Sequence, residues 1–396
     1  MPNSWIRYPF LYLLVTALAG VLLRGMALLP TVPDLYERLL HAHSHIALLG
    51  WGYSALYILY VKLYIPDEQQ RSRFLKVNWL FTQVTIVLMF LAFTIQGYGF
   101  FSIFFSTVHI FLSYAFALWM WKKIRRREGS SLSVRFAKAG LFFMALSSVG
   151  PWGLAVLSAL NLTESPWYHA ALYFYLHNQY NGWFTLGLFA ILFYKLEPLM
   201  NPAAIRLGQL QYGLYVTSLL PSFLLSLLWM SLSAGWYIIA ILSGMVQFAS
   251  VGIFFLLWLK IRRQVANGGL FFFALLALAT KMVLELASAI PKLQSLAFEN
   301  RSVVIGYLHL VLLGFVSCML LAFLLKPNPG KGERKVLTLG SFIFLAGFVG
   351  NEVLLFLEGL MNWTSQLSVP YGPVLLFAMS LFMLFGIGMM TKYRFE

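Results

Sequence analysis

The chain has 396 residues, of which 60% are hydrophobic and only 10% charged, with a formal net charge of +15 and one cysteine. Apolar runs of about 20 residues match helices crossing a bilayer core of roughly 30 Å, which excludes a soluble globular or disordered chain. A single cysteine, Cys318, excludes an intrachain disulfide and a cysteine-ligated cluster.

Breaks at charge clusters, Pro/Gly and Asn predict twelve spans, at 8–29, 39–64, 78–97, 101–121, 138–160, 168–194, 211–232, 236–259, 270–291, 302–325, 336–360 and 373–391. The expected fold is therefore an all-α polytopic membrane protein, with residues 1–396 forming a single transmembrane helical domain. In span 1, "LAGVL" resembles a signal-peptide site after Ala19, but the apolar run continues past it and an uncleaved span is expected. Lysines and arginines collect in alternate loops, with 23 of the 28 on one side. They include Arg7, the run from Lys62 to Lys76, the block Lys122, Lys123, Arg125, Arg126, Arg127, Arg135 and Lys138, and the later groups at Lys195 and Arg206, Lys260 to Arg263, Lys326 to Lys335, and Lys392 and Arg394. Basic loops stay cytoplasmic, so both termini and the loop around Ser130 are expected inside and the loop around Ser365 outside. The positive charge then reports topology, with membrane lipid as its partner and no nucleic acid.

On this topology all seven histidines fall in the outer halves of even-numbered spans. Span 2 opens with "HAHSHIALLGWGY", carrying His41, His43 and His45. His109 is in span 4, His169 and His177 in span 6, and His309 in span 10. His45, His109, His177 and His309 lie about seven to eight residues below the outer start of their spans, six to nine on these bounds, a depth of roughly 10–12 Å at 1.5 Å per residue. Hydrocarbon offers an imidazole no partner, so each needs a hydrogen bond from a neighbouring helix or a metal. Four at one level point to a shared ligand, and the lack of cysteine or paired carboxylates there leaves heme or copper. His41 and His45 are about 40° apart around the helix and His43 points nearly opposite. His45 is thus the first ligand candidate and His41 the second, with His43 meeting headgroups or another helix and His169 at the interface. "HIALLG" at 45–50 returns as "HLVLLG" at 309–314, either by chance in a leucine-rich chain or as two helices facing one flat macrocycle, where glycine permits close approach.

These segments, with "YLHNQYNGWFTLG" in span 6 and "GYLHLVLLGFVS" in span 10, resemble the histidine-bearing spans of the heme-copper oxidase subunit I superfamily, especially C-type oxidases and nitric oxide reductases. The twelve-span length also resembles NnrS, a heme- and copper-containing membrane family associated with nitrogen-oxide metabolism. The resemblance implies a heme held by His45 (or His41) and His309, an electron-donor protein or quinol, and the bacterial inner membrane; His109 and His177 match no family motif and form either a different second site, for copper or heme, or interhelical hydrogen bonds. It also implies redox or O2/NO chemistry, or a non-enzymatic role in nitrogen-oxide response or cofactor handling. The pattern departs from the family: Tyr307 stands where a second span 10 histidine is usual, and span 7, "YGLYVTSLLPSFLLSLLWMS", has no histidine. Ligand counting then predicts little or no oxygen turnover by the isolated chain.

Other intramembrane charges have two readings each. Lys281 and Glu285 form either a neutral structural pair or part of a proton route with Gln247, Asn351 and Glu352, the latter also compatible with a secondary transporter. Arg24, with Lys292 and Arg301, either neutralises heme propionates or snorkels to headgroups.

Overall fold

The computed structural model describes residues 3–29, 33–124, 132–262 and 268–393. Arg125, Arg126, Arg127, Ser130, Arg263 and Arg394 lie outside the described residues. The described chain is helical without strands, in the order α1 (Ser4–Met26), α2 (Pro33–Tyr64), α3 (Arg73–Gln96), α4 (Phe100–Lys123), α5 (Leu132–Ala159), α6, α7 (Pro202–Met230), α8 (Ala234–Ile261), α9 (Gly269–Ala287), α10 (Pro291–Glu299), α11 (Arg301–Leu324), α12 (Lys331–Ser365) and α13 (Gly372–Thr391). Here α6 is the unbroken run of Pro166–His177, Asn178–Phe184 and Thr185–Leu196. The protein is a polytopic all-α membrane protein.

Among the described residues eleven helices are long and apolar enough to cross a membrane, against twelve expected. The shortfall is α6, the expected sixth span. Its 31 residues are ample, about 46 Å at 1.5 Å each, but His177, Asn178, Gln179 and Asn181 in its middle dilute its hydropathy. Those groups are affordable because α6 is buried in protein: every residue from His177 to Phe193 is buried.

Helix starts also differ from expectation. The apolar run of span 2 begins at 39, yet α2 starts at Pro33, with proline at a position that needs no N–H and Asp34 in the first turn bridging to Arg38 at 3.7 Å. The histidine triplet therefore sits two turns inside a helix, not at its mouth. Counted from the helix starts, His45, His109, His177 and His309 lie 12, 9, 11 and 8 residues in. Amphipathic first turns carry no hydropathy signal, and this is why the apolar runs understate the helices.

The chain forms two compact units, 1–119 with 317–396, and 120–316. In the first, α12 and α13 pack backbone to backbone. A Cβ at Gly386 would lie 2.5 Å from Phe344 N and 2.6 Å from Gly340 O, and one at Gly347 would lie 2.8 Å from Met379 O. In lipid such small-residue contacts replace the hydrophobic effect as the source of helix association. Gly386→Leu is expected to cost at least the ~1–3 kcal/mol typical of overpacking, since backbone cannot move aside as a side chain can. The detergent-unfolding midpoint checks it, with Gly388→Leu, where a Cβ meets nothing within 4 Å, staying near wild type.

In the second unit α6 is the centre. Phe193 stacks on Phe136 of α5 at 5.0 Å, Phe189 meets Phe254 of α8 at 4.9 Å, and Ser133 Oγ donates to Ala190 O at 2.9 Å. The Glu197 carboxylate accepts from Leu132 N (2.9 Å) and Ser133 N (3.4 Å), satisfying donors that the first turn of α5 leaves open.

Candidate functional site

Three segments have the wide i→i+5 winding of a π-helix: Ile46–Tyr53 in α2, Asn178–Phe184 in α6 and Leu310–Ser317 in α11. Each begins directly after a histidine, at His45, His177 and His309, and in each a glycine follows the histidine by five residues, at Gly50, Gly182 and Gly314. π segments are rare and recur at functional sites, because the extra residue per turn is unfavourable unless something requires the side-chain placement it creates. The sequence shows two of these repeats as HIALLG and HLVLLG. The third, HNQYNG, lacks the apolar signature of the other two because its intervening residues are polar. Two of the glycines face close neighbours: a Cβ at Gly50 would meet the Tyr12 ring at 3.1 Å, and one at Gly182 would meet Phe143 at 2.6 Å.

In the first unit, His45 Nδ1 donates to His41 O at 2.9 Å, which leaves the lone pair on Nε2, and the ring stacks on Phe93 at 4.1 Å. A histidine that ligates a metal or heme is commonly oriented this way, with its other nitrogen on a carbonyl. His109 of α4 is buried, close enough to His45 to interact with it electrostatically, and its Nε2 has no hydrogen-bond partner. Tyr53 stands edge-on to it at 5.0 Å. His41 packs against Tyr98 at 4.5 Å. His43 meets another helix, as expected from its opposite direction: Nδ1 donates to Thr16 O of α1 at 3.0 Å, with Gly20 alongside. Arg24 is close enough to interact electrostatically with His43 and with Glu352 of α12, whose carboxylate accepts from Asn351 Nδ2 at 3.0 Å. Trp51 Nε1 donates to Ser317 Oγ at 2.7 Å, joining the ends of two π segments.

In the second unit, His177 is surrounded by polar partners. Nε2 donates to Leu219 O at 2.8 Å, and Nδ1 accepts from Asn181 Nδ2 at 3.2 Å. The carbonyl is available because Pro221 lies inside α7 and the helix passes to 3-10 winding at Phe223, whose N–H bonds Leu220 O and Pro221 O instead. Asn181 Nδ2 also donates to Glu285 Oε1 at 2.9 Å, Glu285 Oε2 pairs with Lys281 Nζ at 2.6 Å, and Tyr215 donates to Asn181 O at 3.1 Å. Tyr180 packs edge-on against Tyr307 at 6.1 Å, two residues before His309. Gln247 is fully buried beside Tyr215. Asn351 and Glu352 belong to the first unit, so the polar stations named for a proton route are divided between the units.

The expected ligand pairs, His45 with His309 and His109 with His177, each join residues of different units. His45 and His109 belong to one unit. Both present nitrogens suited to a heme iron or copper ion, whereas both nitrogens of His177 are taken by the protein and offer no lone pair in this arrangement. Among the described residues no group of three or more His, Cys, Asp or Glu side chains could hold a metal ion. His169 sits exposed in an aromatic cluster with Trp229 and Phe298, which are stacked at 4.3 Å. Comparison with protein-family models and with curated proteins finds no match for this chain.

Proposed function

We propose that this chain is a heme-binding integral membrane protein of redox or O2/NO chemistry, with His45 and His309 as heme donors and His109 as a donor to copper or a second heme. The observation that carries the reading is at His45: Nδ1 is held on His41 O, the ring stacks on Phe93, and Nε2 keeps its lone pair at the start of a π segment whose backbone pattern recurs at His309 and His177. Local strain of this kind persists where a side chain must be held for a ligand. Bound heme supplies reversible one-electron and diatomic-gas chemistry. The residues' own part is orientation. His41 O fixes the His45 tautomer, Phe93 covers the imidazole face, and buried apolar neighbours exclude water from His109.

The test is an absorption spectrum with metal analysis of the purified protein, and a heme spectrum is expected. A second reading, a secondary transporter, draws on the buried Lys281–Glu285 pair. Protein without heme or copper that moves a solute across vesicles would establish that reading and defeat the first.

The same proposal orients the chain with both termini in the cytoplasm of a bacterial inner-membrane protein. Cys318 is buried, so a Cys318→Ser background should be silent to thiol reagents. Cysteines at exposed Glu68 and Ser365 should then label from opposite faces, with Glu68 cytoplasmic. Labelling of both from one face would overturn the orientation.

A further inference from the structure

The second unit holds more polar side chains than its buried ion pair needs. Glu285 of α9 is bound by Lys281 Nζ at 2.6 Å and by Asn181 Nδ2 at 2.9 Å. Tyr215 of α7 donates to Asn181 O, and its hydroxyl also lies within hydrogen-bonding reach of Gln247 of α8 and Thr185 of α6. One turn before Tyr215 on α7 stands Gln211, whose backbone carbonyl accepts from Ser250 Oγ of α8 at 2.8 Å. Towards the Met230 end of α7, Lys281 Nζ faces the Tyr180 ring at 5.9 Å, and the Tyr180 hydroxyl reaches Tyr307 of α11 and Ser226 of α7. Gln211 and Ser226 are 15 positions apart. At 1.5 Å per residue that is about 22 Å, most of a hydrocarbon core roughly 30 Å thick.

Two observations show that this line is built for a guest. Gln211 is fully buried, and neither atom of its side-chain amide has a hydrogen-bond partner; Asn181 Oδ1 has none either. An unpartnered amide weakens a fold unless it meets something that hydrogen-bonds, and water is the molecule small enough to be met there. Within the ion pair, Lys281 has no exposed surface whereas the Glu285 side chain keeps 9%, so the acid is the partner that a proton carrier can reach. The line also has two open ends. Arg206, five residues before Gln211, is exposed, and no residue of Arg301–His309, the stretch of α11 that carries Tyr307, is buried.

We propose that the second unit conducts protons, along a path from Gln211 through Gln247, Tyr215 and Glu285 to Tyr180 and Tyr307. This goes beyond the heme reading and does not depend on it. A hydronium ion at the Arg206 end of α7 gives up its proton and is left as water. Waters on the Gln211 and Gln247 amides and the Tyr215 hydroxyl pass the proton on, each forming one O–H bond as it gives up another. Glu285 receives it as the O–H of a carboxylic acid and releases it past Tyr180 and Tyr307 to water at the far end. No electron moves, and one proton leaves for each that enters. The charged and titratable groups facing Glu285 are Lys281 on its own helix, His177 and Tyr180 of α6, Tyr215 of α7 and Tyr307 of α11. None of these is a second carboxylate, so Glu285 is the acid of the path. The Lys281 ammonium repels metal cations and draws the carboxylate back into the ion pair after each proton.

The experiment reconstitutes the purified protein in liposomes that enclose a pH-sensitive dye, with a potassium gradient and valinomycin to drive protons inward. Influx well above that of empty liposomes is expected. Gln211→Met removes the amide and keeps the side-chain length, and it should lower the flux roughly tenfold, the effect on a rate of losing one hydrogen bond. Its unfolding midpoint should stay at or above wild type, because the amide has no bond to lose. Gln83→Met, which takes an equally buried and unpartnered amide from the first unit, should conduct as wild type. Glu285→Gln should abolish the flux, and since that variant is also destabilised the decision rests on Gln211→Met. Influx no greater than through empty liposomes, wild-type flux in Gln211→Met, equal loss in Gln83→Met, or a loss in Gln211→Met that follows a lowered midpoint would overturn the proposal. None of these outcomes depends on a heme spectrum, so the two readings fail separately.

Discussion

Glu285→Gln is expected to destabilise the protein by about 3–5 kcal/mol, the cost of leaving one partner of a buried ion pair uncompensated. Lys281 is wholly buried, and its ammonium lies 2.6 Å from Glu285 Oε2. With glutamine at 285 the ammonium keeps only the amide oxygen, the 5.9 Å approach to the face of Tyr180 and the weak contact to Met282 Sδ. Lys281→Met should be comparably damaging, because the carboxylate then retains only Asn181 Nδ2 as a donor. The double variant should regain most of the loss, since a neutral amide and a thioether bury at little cost where two matched charges were. Unfolding in mixed micelles, followed by tryptophan fluorescence, supplies all four corners of the cycle. Single variants within ~1 kcal/mol of wild type, the range of exposed pairs, would show that solvent reaches the site.

His45→Ala or His309→Ala is expected to remove the low-spin heme spectrum entirely, while His43→Ala and His169→Ala largely keep it. The contrast at the triplet is the sharper one. His45 has its Nδ1 anchored on its own helix and a lone pair left on Nε2, whereas His43 uses its Nδ1 to bind α1 through Thr16 O. Loss of His43 should instead cost stability of about 1 kcal/mol, the worth of one hydrogen bond. Absorption and pyridine-hemochrome assays on protein that elutes as a single folded peak make the comparison. Unchanged spectra in both His45→Ala and His309→Ala would remove these residues as heme donors.

The all-α membrane class was legible from the sequence because it rests on local quantities, the length and apolarity of each run. The direction of His43 was legible too, from helical angle alone. What misled was the assumption that a helix starts where its apolar run starts. Pro33, Ser165 and Asn300 open α2, α6 and α11 with ordinary soluble-helix signals: proline and Asp34 in a first turn, a Ser165 cap to Trp167 N, and an Asn300 cap to Ser302 and Val303 N. Read as helix starts rather than loops, they would have set the histidines at 8 to 12 residues in.

By itself the sequence determined a basic, helical, membrane-embedded chain with its histidines on four helices and an ion pair at i,i+4 on a fifth. Tertiary structure alone decided which imidazole nitrogens remain open. His177 is occupied by Leu219, 42 positions away, and is tied through Asn181 to Glu285, 104 positions from that asparagine. It alone assembled Gln211, Gln247, Tyr215, Glu285, Tyr180 and Tyr307 from separate helices into one polar line. The physical reason is that lipid and protein interior are equally apolar. A helix such as α6, buried all round from His177 to Phe193, or α8, apolar along its length, carries no amphipathic stripe to say which face meets which neighbour, so its rotation and depth are set only when the helices pack.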